Sequence, residues 1–157
     1  MNVLTLNVQE FRITRARRAD VAVIVALLRE DVLGARREDE SLDAYLRAFD
    51  AIDRDDNQFL MAVRDARDEV VGTMQLTLIP GLSRGGATRL QIEAVRIAVT
   101  TRGAGLGSAL FRWAEQFGRE RGATMAQLTT DKQRVDARRF YERLGYVATH
   151  EGMKLSL

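Results

Sequence analysis

Residues 90–129, LQIEAVRIAVTTRGAGLGSALFRWAEQFGRERGATMAQLT, are the most informative part of the sequence, because they join two apolar segments through a glycine-rich turn and a helix. Within the helix, apolar residues recur at the spacing of one helical face: Leu106, Leu110, Trp113, Ala114 and Phe117. Gly122 is a typical residue to end such a helix, and Ala123 to Thr129 predicts a second strand. A strand, a helix and a strand in succession predict a right-handed crossover between parallel strands.

The first strand of this stretch changes the phase of its alternation. In a regular strand its apolar residues would fall on opposite faces, with Leu90 and Ile92 on one and Val95, Ile97 and Val99 on the other. One extra residue near Glu93-Ala94, a β-bulge, would bring all of them to the same face. A strand buried on both faces would explain the same pattern without a bulge. The sequence leaves both interpretations open.

The remaining patterns predict one α/β domain, residues 1–157, with a mixed sheet. Before residue 90 they indicate a strand at Phe11–Thr14, a helix capped by Asp20, a polar connection at Gly34–Glu40, a second helix capped by Ser41, and a hairpin of strands Gln58–Arg64 and Glu69–Ile79. After residue 129 they indicate a helix that carries Ala137, Phe140, Tyr141 and Leu144 and ends at Gly145, and then one or two closing strands in Tyr146–Leu157.

Composition excludes several classes of protein. No apolar run approaches the ~20 residues of a membrane helix, and the amino terminus does not have the pattern of a signal peptide. With no cysteine there is no disulfide, thiol nucleophile or thiolate metal site. The 24 basic and 22 acidic residues alternate along the chain, which favours a solvated surface over a nucleic-acid interface. We expect a cytoplasmic protein that binds neither membrane, nucleic acid nor metal.

The turn from Thr100 to Ser108 is a candidate phosphate site. Its three glycines would let the backbone approach a ligand closely, and free amides at a helix start favour phosphate oxygens. The turn matches neither the P-loop nor the dinucleotide-binding fingerprint. Taken alone, it is equally a tight turn that needs glycine for positive φ.

Two motifs together carry a family resemblance. Arg102 to Gly107 reads R-x-x-G-x-G, and Ala137 to Tyr146 reads A-x-x-F-Y-x-x-L-G-Y. The pair resembles the acyl-CoA loop and the following helix of the GNAT N-acetyltransferase superfamily, and the order of elements along nearly the whole chain is similar to that fold. The resemblance implies a mostly antiparallel mixed sheet flanked by helices, with the parallel βαβ crossover at the acyl-CoA site. The sequence departs from the family at Arg134, where an Asn is usual.

The resemblance implies transfer of an acetyl group from acetyl-CoA to a primary amine of a small molecule or peptide, by direct attack in a ternary complex. An alkylamine has a pKa near ~10, so a base must take its proton at neutral pH. The thioester oxygen needs hydrogen-bond donors, and the departing thiolate benefits from an acid. A non-catalytic acyl-CoA-binding module on the same fold is the alternative, and a homodimer is expected from the family.

Two residues match the catalytic positions of the family. Glu93 would be the base, acting directly or through water, and its alternative role is a solvated face or an ion pair with Arg89 or Arg96. Tyr141 would protonate the thiolate, and its alternative role is core packing. Adjacent aromatic residues do not both face one core well, so we expect Phe140 to pack and Tyr141 to face the cleft.

The remaining candidate residues are those expected at the cofactor, at the surface or near the acceptor. Arg134 would either reach a phosphate or solvate the helix start, and the single histidine, His150, is expected at the surface. The acidic run Glu38–Glu40 is either a solvated helix start or a feature that attracts a cationic amine. The residues expected to bind acetyl-CoA are the backbone of Ile97, Ala98 and Val99, the loop Arg102, Gly103, Ala104, Gly105, Leu106, Gly107 and Ser108, and Arg134.

Overall fold

The computed structural model describes residues 2–6, 9–30, 41–103 and 105–157. Its strands and longer helices, numbered here in chain order, are β1 (Val3–Leu6), β2 (Gln9–Arg15), α1 (Val21–Arg29), α2 (Leu42–Asp53), β3 (Gln58–Arg64), β4 (Val70–Pro80), β5 (Thr88–Ile97), α3 (Leu106–Glu120), β6 (Ala123–Leu128) and α4 (Val135–Arg143), and a short helical turn lies at Ser83–Gly86. None of these helices is long and apolar enough to cross a membrane.

The strands form one sheet in the order β1-β2-β3-β4-β5-β6. Every neighbouring pair is antiparallel except β5 and β6, which are parallel and joined through α3. This confirms the mixed, mostly antiparallel sheet, the hairpin of β3 and β4, and the parallel crossover. The strand β1 was not predicted, although the alternation in Val3–Leu6 is a weak signal for it.

Helices cover both faces of the sheet. On β3, Met61 and Val63 pack into a cluster with α3, whereas Leu60 and Ala62 pack with α1 and α2. Successive side chains of a strand point to opposite faces, so β3 is buried on both sides and reads as an almost continuous apolar run. The glycines predicted to end α3 and α4 follow them with positive φ: 80° at Gly122 and 93° at Gly145.

Asp20 forms a buried ion pair and does not cap α1. Its side chain makes no capping bond to that helix. Its Oδ2 instead accepts hydrogen bonds from the Arg17 amide at 2.8 Å and from Arg64 Nη2 at 2.6 Å. The Arg64 and Asp20 side chains are only 6% and 10% exposed. Since an unpaired charge is costly to bury, each of the two requires the other.

The closing strands predicted in Tyr146–Leu157 are wrong. After α4 the chain has neither helix nor strand, and the apolar residues Val147, Met153, Leu155 and Leu157 are exposed. A strand forms only where a neighbour satisfies its backbone, and within the described residues no strand lies along the outer edge of β6. The predicted connection Gly34–Glu40 and the acidic run within it lie outside the described residues.

We predict that Asp20→Asn lowers the free energy of unfolding by about 3 kcal/mol, because it removes the buried counter-charge of Arg64 and leaves only the exposed Asp68 carboxylate, 3.8 Å from Arg64 Nε. Denaturant unfolding measures the change. The matched control is Glu142→Gln, which breaks the exposed pair of Arg138 and Glu142 and is expected to cost no more than about 1 kcal/mol. Equal losses in the two variants would contradict the assignment.

Candidate active site

A β-bulge at Ala94 reorients the second half of β5. Glu93 pairs with Gln75 and Arg96 with Thr73, so two residues of β5 stand opposite one residue of β4. Ala94 has a φ of 52°, which is unusual for a residue other than glycine. The bulge interpretation is therefore confirmed. As a consequence, the apolar residues on both sides of the bulge pack against the same core: Leu90, Ile92, Val95 and Ile97.

Beyond the bulge, β5 is paired on one side only. Its pairing with β6 ends at Ile92, whereas its pairing with β4 continues to Ile97. The Ala98 amide donates to the Val71 carbonyl at 2.8 Å, so it is not available to a ligand. Because neighbouring residues of a strand direct their amides to opposite edges, the Ile97 amide points away from β4. We call this unpaired side of residues 93–97 the open wedge.

The glycine-rich turn lies at the end of the open wedge. After a turn of 3-10 helix at Val99–Thr101, Gly103 has a φ of 88° and Gly105 a φ of 77°. Gly105 precedes α3 and has no side chain to cap the amides of its first turn. These amides therefore form a site that favours an anion. Ala104 lies outside the described residues.

Gly107 lets α4 approach α3. A Cβ atom at this position would lie 3.3 Å from Cζ of Phe140 and 3.5 Å from Cδ1 of Ile97. Arg102 holds the other side of the turn, since its Nε donates to the Ile97 carbonyl at 3.1 Å and its Nη2 lies 3.7 Å from the Glu30 carboxylate. Its side chain remains 53% exposed, so the guanidinium is open to solvent and to an anion.

Tyr141 packs against the core, and its pKa is affected by burial and by nearby charges. The centre of its ring lies 5.5 Å from that of Phe111, and the centre of the Phe140 ring lies 5.7 Å from that of the same Phe111. Both aromatic residues therefore contact the core. The expectation that only Phe140 would pack is therefore wrong. Burial raises the pKa of the Tyr141 phenol, while the nearby guanidinium groups of Arg134 and Arg96 act to lower it. Arg134, the residue before α4, thus lies close enough to influence the pKa of this phenol.

Glu93 lies at the bulge and its side chain is exposed. Across the ladder it faces Gln75, whose amide donates to Gln58 Oε1 at 3.1 Å. Arg96 was considered from the sequence only as an ion-pair partner of Glu93. Its Nη1 in fact donates to the Val95 carbonyl at 2.8 Å, and its charge acts on Tyr141. The sequence held no signal for this role, because the orientation of residue 96 depends on the bulge.

His150 lies on the exposed segment after α4, with its Nδ1 2.7 Å from the Thr149 hydroxyl oxygen. This agrees with the expectation of a surface position. In the described ranges no three His, Cys, Asp or Glu side chains are grouped so that they could hold a metal ion.

Known proteins are similar to this chain over much of its length. The model of the acetyltransferase (GNAT) family matches residues 23–146. An aminoalkylphosphonate N-acetyltransferase of Salmonella typhimurium is 40% identical over 60 residues, which are 38% of this chain and 39% of that protein. A glucosamine 6-phosphate N-acetyltransferase of Trypanosoma brucei brucei is 34% identical over 88 residues, 56% of this chain and 58% of that protein. The matches thus span about two fifths and three fifths of these relatives.

A solved structure covers more of the chain. A protein described as a transcriptional regulator from Bacillus halodurans C-125 is 43% identical, with a TM-score of 0.88 over 94% of this chain and 99% of its own. Another protein therefore has the same fold over nearly the whole of this chain.

Proposed function

The chain belongs to the acetyltransferase (GNAT) family, and from that premise we propose that it transfers the acetyl group of acetyl-CoA to a primary amine of a small molecule or peptide. One observation carries the proposal. The strand β5 loses its pairing with β6 after Ile92, and its unpaired residues 93–97 lead into a glycine-rich turn and the uncapped start of α3. A strand edge that directs the Ile97 amide outward therefore adjoins an anion site.

These two features fit the two ends of an acyl-CoA molecule. The amides of the first turn of α3 would hold the pyrophosphate, with Arg102 beside them. The Ile97 amide, directed into the open wedge, would donate to the pantetheine arm or the thioester. Acetyl-CoA supplies the activated acyl group, and the residues of this chain supply its orientation and the proton transfers.

The proposed chemistry needs one base and one acid. Glu93, directly or through a water molecule, accepts the proton of the acceptor ammonium group, and the free amine then attacks the thioester carbonyl carbon. A carbon–nitrogen bond forms, the carbon–sulfur bond breaks, and the nitrogen releases its second proton to solvent as the amide forms. Tyr141 donates its phenolic proton to the departing sulfur and regains a proton from solvent. The positive charges of Arg134 and Arg96 support this transfer, because they stabilise the phenolate that remains.

The acceptor is proposed from chemistry shared by the relatives. The names of the two curated relatives describe substrates that combine an amine with a phosphonate or phosphate group. We therefore propose small amines with an anionic phosphorus group as the first acceptors to test, beside a peptide amine. Release of free thiol from acetyl-CoA reports transfer to any of them. A non-catalytic acyl-CoA-binding module would bind acetyl-CoA and release no thiol with any acceptor.

We predict that Gly105→Val abolishes the stabilisation of the protein by acetyl-CoA. A ligand that binds only the folded state at 100 times its Kd stabilises it by about 2.7 kcal/mol, which a thermal melt detects. Gly122→Val is the matched control, because Gly122 also has positive φ and open space around a new Cβ but lies at the far end of α3. Both variants should melt earlier, and only the control should still respond. An undiminished response of Gly105→Val would remove the loop from the site.

We predict that Glu93→Gln slows acetyl transfer about 10²-fold at neutral pH and that the loss shrinks as the pH rises, because more acceptor amine is then already deprotonated. The measurement is the pH dependence of kcat/KM. Glu10→Gln on β2, another exposed strand glutamate, should keep the wild-type profile. A uniform loss at every pH would argue against a base role for Glu93.

We predict that Tyr141→Phe lowers kcat about 10²-fold and leaves acetyl-CoA affinity nearly constant, since the hydroxyl acts mainly in the transition state. The ring and its contact with Phe111 are kept. Tyr146→Phe removes the hydroxyl of another tyrosine against Phe111 and should turn over normally. Steady-state kinetics and a thermal melt of each variant distinguish a catalytic role from a packing role. An unchanged kcat with a lowered melting temperature in Tyr141→Phe would show that Tyr141 has a packing role alone.

A further inference from the structure

A groove of about 580 Å³ lies between β1 and α3, on the face of the sheet that carries α3. Its volume falls within the range of about 300–1,000 Å³ that is typical of sites for small molecules. Of the described residues that line it, none belongs to the open wedge, to the glycine-rich turn or to the pair Glu93 and Tyr141. We call this cavity the β1–α3 groove. It is separate from the proposed acetyl-CoA site.

The helix side of the β1–α3 groove is aromatic. Trp113 and Phe117 of α3 line it together with Phe59 of β3, and the ring centres of the three residues lie 5.1 to 5.6 Å apart. The planes of Trp113 and Phe117 are within 28° of each other. Phe59 and Trp113 are only half-buried. Aromatic rings attract a further ring by more than the area that it buries, so this cluster favours a flat aromatic ligand.

The sheet side of the β1–α3 groove is aliphatic. Leu4 and Leu6 are two residues apart on β1 and therefore point to the same face, where both pack partly against the core. A ligand in the groove would thus have apolar contacts on both sides. A rigid ring loses less conformational freedom in such a space than a flexible chain does. The shape and the lining therefore favour a ring system over an alkyl chain.

The charges at the β1–α3 groove favour an anion. Arg112 and Arg121 line it, and both are exposed. The guanidinium carbon of Arg121 lies 3.7 Å from the centre of the Phe117 ring. The one carboxylate of the lining, on Glu120, accepts a hydrogen bond from Gln116 Nε2 at 3.0 Å. Within the part of the chain that the structure describes, Arg112 has neither a hydrogen bond nor an ion pair. Its guanidinium is therefore available to a carboxylate.

We propose that the β1–α3 groove binds a small planar aromatic acid. The ring system lies between the leucines of β1 and the aromatic residues of α3, and the carboxylate of the ligand pairs with Arg112 at the rim. The ligand binds without covalent chemistry. The proposal does not rest on acetyl transfer, because it uses no residue of the proposed acetyl-CoA site.

The first test locates the ligand. Trp113 is the single tryptophan of the sequence, so its indole N–H gives one signal in a ¹H–¹⁵N NMR spectrum. We expect 1-naphthoate, used as the probe, to shift this signal until the site is saturated. Absence of a saturable shift would overturn the proposal. A signal that moves when the protein alone is diluted would indicate that a second copy occupies the groove, and would overturn it as well.

The second test measures the chemistry of recognition by titration calorimetry. We expect 1-naphthoate to bind about 10-fold more tightly than the neutral 1-naphthamide, and also more tightly than decanoate. Arg112→Gln should reduce the affinity for 1-naphthoate to that for the amide and leave the affinity for the amide unchanged. The matched control is Arg119→Gln, because Arg119 is also an exposed arginine of α3 but does not line the groove. Equal effects of the two variants, or equal affinities for the acid and the amide, would overturn the proposal.

A third measurement separates the β1–α3 groove from the anion site at the start of α3. Below its melting temperature, Gly105→Val should bind 1-naphthoate as tightly as the wild-type protein does, because Gly105 does not line the groove. A loss of 1-naphthoate binding in this variant would place the ligand at the start of α3 and overturn the proposal.

Discussion

The bulge at Ala94 is the constraint on which the site depends. One extra residue in β5, held at positive φ, returns Val95 and Ile97 to the core face that Leu90 and Ile92 already occupy. Without it, the apolar side chains of the second half of the strand would turn to the opposite face. The same residue sets which amides point away from β4 beyond Ile92, where the pairing with β6 has ended. Core packing and the open wedge thus share one local cause.

A glycine near each end of α3 allows this helix to lie close to its neighbours. In its first turn, a Cβ on Gly107 would meet Phe140 and Ile97, and near its end a Cβ on Gly118 would lie 3.0 Å from Leu90. The distances to Phe140, 3.3 Å, and to Leu90, 3.0 Å, are shorter than a Cβ atom normally makes, so a side chain at either glycine would require its neighbour to shift. The close approach directs the uncapped amides of α3 to the end of the open wedge. It also brings the aromatic residues of α4 onto Phe111.

The chemistry at Tyr141 follows from where the charges lie. Burial against Phe111 opposes ionisation of the phenol, and the guanidinium groups of Arg134 and Arg96 favour it. One of these arginines precedes α4 and the other follows the bulge in β5. Only the folded chain brings them to the same phenol. A substitution of either arginine is therefore expected to act through Tyr141 rather than through packing.

Much of this molecule is determined by patterns within a few residues. The helical stripe of α3, the glycine that ends it, the hairpin of β3 and β4 and the change of phase in β5 all arise from interactions between near neighbours, so the sequence alone determined them. Tertiary structure decided what depends on distant partners. Asp20 pairs with Arg64, 44 residues away, rather than capping its own helix. The charge of Arg96 acts on the Tyr141 phenol, the Ala98 amide pairs with Val71, and residues 147–157 form no strand although Met153 to Leu157 alternate as a strand would. In each case the local pattern allows more than one interaction. The burial and pairing that exist only in the folded chain decide which of these interactions forms.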